Sequence, residues 1–134
     1  MKTLPLSLFV FAAIMLSACT GEAQKPTVAQ TGTSMQVIQF HNEHRCATCL
    51  KIEELTKKTL ADYFPSIPFS LVNVEDKKNE KMTQQFEAFG TSLFLYNPKT
   101  GLKKDLTDFA FMNAGDDKKF EAELKKHIEA FLKS

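Results

Sequence analysis

Phe40-His41-Asn42-Glu43-His44-Arg45-Cys46-Ala47-Thr48-Cys49 places a C-x-x-C pair where an apolar strand gives way to a helix. The strand is Met35–Phe40, with the β-branched Val37 and Ile38, and the helix is expected over Leu50–Phe64. Cys46 therefore falls at or just before a helix N-terminus. Unpaired backbone N–H groups and the positive end of the helix dipole stabilise an anion there. A thiolate is such an anion, and such surroundings lower a cysteine pKa from roughly 8.5 to about 3.5–7.5. Arg45 and His44 add positive charge beside Cys46, which makes both candidate thiolate-stabilising residues. Cys49 lies one turn on, on the same face, and can close a small disulfide ring.

Beyond the pair, strands and helices alternate. Phe69–Val74 reads as a second strand after the turn-rich Pro65-Ser66-Ile67-Pro68. Asn79–Phe89 reads as an amphipathic helix, with Met82, Phe86 and Phe89 on its apolar side and Gly90 as its stop. Ser92–Tyr96 has the look of a buried strand, Asn97–Gly101 of a turn, and Leu102–Leu106 of an antiparallel return. Asp116–Leu132 closes the chain as a helix, its Phe120, Leu124, Ile128 and Phe131 recurring at helical spacing. Phe109-Ala110-Phe111-Met112 fits either an extension of the last strand or an apolar rim beside the cysteines. The 12 Phe residues are placed mostly at core periodicities, in Phe64, Phe69, Phe86, Phe89, Phe94, Phe120 and Phe131, and His127 reads as a surface residue of the last helix, with a distal metal ligand as the alternative.

With the C-x-x-C at the start of the first helix, this order resembles the thioredoxin fold over residues 35–134. Val72-Asn73-Val74-Glu75-Asp76 is similar to that family's second strand and following acidic turn, and Phe89–Leu95 to its cis-proline loop and third strand. The resemblance implies an α/β fold with a central mixed sheet of about four strands (β-α-β-α-β-β-α) flanked by helices. It also implies catalytic Cys46 and Cys49, a substrate loop at Thr91 and Ser92, and no cofactor beyond the redox-active disulfide.

The chain departs from the family pattern in three places. Thr91 stands where the cis-proline belongs, and a cis bond before a non-proline residue costs about 2.5–4 kcal/mol, so a trans bond is expected. Gln39 stands where thioredoxin has a buried proton-relaying Asp, so Glu43, Glu53 or water would have to serve. The aromatic lead-in is absent, since the chain has no Trp; His41 and His44 occupy that segment instead. His41, His44, Cys46 and Cys49 are numerous enough for a tetrahedral zinc or cuprous site, although the loop spacing is not a recurrent one; otherwise both His are exposed loop residues.

The first residues bear on location. A basic start at Lys2 and an apolar run over Leu4–Leu16 precede Leu16-Ser17-Ala18-Cys19, which resembles a bacterial lipoprotein signal. The run is shorter than the about 20 residues a spanning helix needs. That resemblance implies a signal peptide over 1–18, lipidation of Cys19 and an anchor in a cell-envelope membrane facing the periplasm. In an enterobacterium-like Gram-negative host, Thr20 rather than Asp after Cys19 favours the outer membrane. The alternative is an ordinary secretory signal that Cys19 ends as a small residue. The polar segment 19–34 reads as a tether, leaving 35–134 as one domain. Of 3 Cys, lipidation would use one and leave a pair, in a compartment where disulfides persist.

The chain has 17 basic and 16 acidic residues, and removing Lys2, Lys25 and Glu22 leaves the domain neutral. Nothing in that balance supports nucleic-acid binding. The expected partners are protein thiols or disulfides of the envelope, with the membrane reached through the lipid and the protein a monomer. Three functions stay open: a thiol:disulfide oxidoreductase, a copper- or zinc-binding protein using the same cysteines, and a redox-inert interaction module.

Overall fold

The computed structural model describes residues 35–134; the expected signal segment 1–18, Cys19 and the tether over 19–34 lie outside them. Strand β1 (Gln36–His41) is central and buried on both faces, which is why Val37-Ile38-Gln39-Phe40 reads as a nearly continuous apolar run. Its side chains alternate between two cores. Val37 joins Ile52, Leu55 and Leu60 of helix α1 (Ala47–Tyr63), while Ile38 and Phe40 face the other way.

Strand β2 (Phe69–Asn73) runs parallel to β1, and β3 (Ser92–Tyr96) and β4 (Lys103–Asp105) complete the sheet antiparallel, in the order β2-β1-β3-β4. A parallel pair needs a crossover, and α1 supplies it between β1 and β2. Helix α2 (Glu80–Phe86) covers one face: its Phe86 packs with Phe40, Phe94 and Tyr96 at ring separations of 5.0–5.3 Å. On the other face lie α1, α3 (Thr107–Asn113) and α4 (Asp117–Phe131), whose Phe120, Leu124 and Ile128 are fully buried. The protein is thus α/β, with a four-stranded mixed sheet and four helices among the described residues.

The ends of elements follow local chemistry. Phe64 caps α1 in a non-helical conformation, as a residue before proline must, and Pro65 cannot continue the hydrogen-bond ladder. In the β3–β4 turn Gly101 takes φ +75°, and its N–H donates to the Asn97 carbonyl at 2.8 Å.

Several expectations need correction. Helix α2 ends at Phe86, not at Phe89 before Gly90, because Glu87 turns left-handed (φ 54°) and the Ala88 N–H closes onto the Thr83 carbonyl at 2.9 Å. Phe89 is consequently no core residue; it is 83% exposed. Phe109–Met112 is not an extension of the last strand but belongs to α3, an element absent from the expected order. There Ala110 enters the core and Phe109 packs on Phe120 at 5.1 Å, while Phe111 and Met112 face outward.

His127 is not a plain surface residue. It is half-buried, edge-on to Phe109 at 4.9 Å, with Nδ1 3.2 Å from Lys104 Nζ. Burial, and then the Lys104 charge, push its pKa below the usual 6.5, with only Glu123 opposing. The unfolded chain therefore binds this proton more readily than the folded one, and stability falls as pH drops below about 6.5 toward the folded value. Thermal midpoints between about pH 7.5 and about pH 5.5 should decline on acidification, and His127→Phe should flatten that slope. An equal slope in the variant would remove His127 as its source.

Candidate redox-active site

Cys46 is the N-cap of α1, with φ −80° and ψ 159°. Its carbonyl accepts the first helical hydrogen bond, from the Leu50 N–H at 3.1 Å, and its Sγ accepts from the Cys49 N–H at 3.2 Å. A sulfur thus takes the place of the usual Ser or Asp oxygen at the cap. Helix α1 begins at Ala47, three residues earlier than the apolar pattern indicates, because this cap already organises Ala47 and Thr48. No acidic side chain occupies its first turn, so nothing there offsets the positive end of the helix.

Cys46 and Cys49 form a disulfide with Cα atoms 5.2 Å apart. The two sulfurs differ sharply in environment. Cys46 is exposed, whereas Cys49 is 5% exposed. Beneath Cys49, the wholly buried Gln39 reaches from β1 and donates from Nε2 to the Cys49 carbonyl at 2.9 Å. Its Oε1 is buried without a partner, a cost of about 1–3 kcal/mol.

Across the site, the Thr91 hydroxyl lies 3.2 Å from Cys49 Sγ. The loop before β3 delivers it there, with the Ser92 hydroxyl donating to the Gly90 carbonyl at 3.2 Å. All peptide bonds of the described residues are trans, the one preceding Thr91 included. Thr91 therefore meets the disulfide through its side chain.

The cationic neighbours are placed differently from one another. Arg45 Nη2 donates to Glu53 Oε2 at 2.7 Å, with both side chains largely buried, and Lys57 grips the other Glu53 oxygen. Burial alone would raise the Glu53 pKa, but Lys57 and Arg45 together hold it below the usual carboxylate range. Glu53 is thus a poor proton acceptor at neutral pH. This weakens its candidacy as a substitute for the buried acid. The Arg45 charge is shared with that carboxylate, an arrangement missed by sequence reasoning because the residues stand eight apart across the helix start. His44 is exposed.

His41 sits at the end of β1 with Nδ1 2.7 Å from the Asn42 carbonyl oxygen. Asn42 in turn donates to Glu75 at 3.1 Å, tying the segment before Cys46 to the turn after β2. Among the described residues, no three His, Cys, Asp or Glu side chains converge as metal ligands. His41 turns instead to the Asn42 carbonyl, and His44 is exposed.

Beside the pair, Ala47, Thr48 and Lys51 of α1 face Phe111, Ala114 and Gly115 across a shallow hollow. Leu50 and Phe89 add exposed apolar surface. Comparison with protein-family models and with curated proteins finds no match to the chain.

Proposed function

We propose that this protein is a thioredoxin-like thiol:disulfide oxidoreductase of the bacterial cell envelope, acting on protein thiols and disulfides. The observation that carries the reading is the asymmetry of the pair. Cys46 is exposed at a helix N-cap and is bonded to a Cys49 buried beneath it. The sheet order β2-β1-β3-β4, with the pair at the start of the crossover helix, supports the fold assignment.

In this mechanism the reduced Cys46 thiolate attacks one sulfur of a partner disulfide. The partner S–S bond breaks, and its other sulfur leaves as a thiolate that takes up a proton. Cys49 then attacks Cys46 Sγ, forming the intramolecular disulfide and expelling the second partner thiol. Two electrons pass to the partner. The reverse sequence oxidises a partner dithiol, and the relative reduction potentials set the direction.

Alkylation of reduced protein across a pH series tests the assignment of roles. Cys46 should react first, with a midpoint below the roughly 8.5 of a free thiol. Preferential labelling of Cys49 would reverse the roles, and a midpoint at the free-thiol value would remove the helix-terminus argument.

The location is proposed from the resemblance of Leu16-Ser17-Ala18-Cys19 to a lipoprotein signal, with the protein held by lipid on the periplasmic side of the outer membrane. No helix of the described residues is long and apolar enough to cross a membrane. Metabolic labelling with a fatty acid should mark the wild type and leave Cys19→Ser unmarked. Equal labelling of the two would refute the anchor.

A further inference from the structure

We infer that the Thr91 hydroxyl is a positioning group for the resolving thiol: it donates a hydrogen bond to Cys49 Sγ and favours the thiolate that expels the partner. This rests on the exchange mechanism for its kinetic consequence but not for its titration.

Cys49 has the harder ionisation of the pair. Its sulfur is almost wholly removed from water, and burial disfavours the charged form of a thiol. The usual remedy is a titratable acid nearby; of the residues that could take that part, Glu43 is exposed at the surface. Gln39 reaches only the Cys49 carbonyl and cannot titrate, and Glu53 is committed to Arg45 and Lys57.

Thr91 Oγ1, brought in from 42 residues away, is 3.2 Å from the sulfur. A disulfide sulfur carries no proton, so across this contact the hydroxyl is the donor. A neutral disulfide sulfur accepts weakly, whereas a thiolate accepts a charge-assisted bond roughly twice as strong as a neutral one. The same contact therefore gains strength when Cys49 ionises.

In the resolving step the Cys49 thiolate forms a bond to Cys46 Sγ, the bond from Cys46 to the partner sulfur breaks, and the partner leaves as a thiolate. The proton released by Cys49 ends on that thiol. No further oxidant or reductant enters.

Loss of the hydroxyl has a signature that depends on pH. If Thr91→Val raises the Cys49 pKa by about one unit, the thiolate fraction below that pKa falls about tenfold. The more basic thiolate is intrinsically a better nucleophile, by about threefold for a Brønsted slope of 0.4–0.5. Resolution should therefore be about threefold slower in the variant at neutral pH and about threefold faster once Cys49 is fully ionised, so that the two pH–rate profiles cross.

The test uses the full chain carrying Cys19→Ser, so that Cys46 and Cys49 are its only thiols. The Cys49 pKa is read from thiolate ultraviolet absorbance in a Cys46→Ser background, which needs no partner. Resolution is read from the release of a chromogenic aryl thiol held as a mixed disulfide on Cys46. The expected result is a raised Cys49 pKa and crossing profiles in Thr91→Val, with Thr91→Ser matching Thr91. An unchanged Cys49 pKa in Thr91→Val would overturn the inference, as would an equal shift in Thr91→Ser, which would trace the effect to the methyl group. If the pKa shifts but no aryl thiol is released by any variant, the hydroxyl's role in ionisation stands, while its kinetic role and the exchange mechanism fall together.

Discussion

Cys46→Ser should abolish disulfide exchange, lowering the rate on the order of 10³-fold or more, because it removes the attacking atom itself. Cys49 cannot substitute, since its sulfur is buried below the surface that a partner reaches. Cys49→Ala should behave differently. The first attack proceeds, the second has no nucleophile, and mixed disulfides through Cys46 accumulate. These are visible as reductant-sensitive adducts on non-reducing gels of whole-cell extracts, and mass spectrometry of them identifies the partners. Equal exchange rates in wild type and Cys46→Ser would end the proposed mechanism, and adducts mapping to Cys49 in Cys46→Ser would reverse it.

Phe120→Ala carries the largest expected structural effect. The ring is fully buried in α4, stacks on Phe109 of α3 and lies in the same core as Ile52 and Leu55 of α1. Truncation of a buried Phe to Ala costs about 3–5 kcal/mol, counting lost transfer energy and the residual cavity. A domain of this size holds about 5–15 kcal/mol in total, so roughly a fifth or more of its stability should vanish. Urea unfolding of the oxidised protein should show a midpoint lowered in proportion, with the slope unchanged. A loss below about 1 kcal/mol would mean that the core collapses around the gap far more completely than such cores ordinarily do.

What could be read from the sequence was what repeats or sits adjacent. The buried run Val37–Phe40 and the helical spacing of Phe120, Leu124, Ile128 and Phe131 give the central strand and last helix directly, because each pattern reports a face of one element. The position of C-x-x-C between strand and helix is likewise local. The end of α2 was illegible for the opposite reason. A left-handed Glu87 carries no mark in the sequence, and Gly90 offered the more usual stop. The seven residues of α3 are too few for a period to separate helix from strand. Sites made by tertiary contact escape altogether: no spacing rule joins Thr91 to Cys49, nor Arg45 to Glu53.

The last strand of the sheet, three residues long, also governs how copies of this protein behave when crowded. An open edge offers unpaired N–H and C=O groups to any neighbouring chain and is the usual starting point of intermolecular sheet growth. Here that edge is Lys103-Lys104-Asp105, and the two lysines lean to opposite sides. Lys103 Nζ donates to the Gln85 carbonyl at 2.7 Å and sits over the Phe86 ring, while Lys104 Nζ lies against His127. A strand adding to this edge would bury both ammonium groups and displace the contacts that hold them. Crowding therefore meets an electrostatic barrier at β4, and aggregation through strand pairing is steered to the opposite margin, where β2 begins just after Pro68.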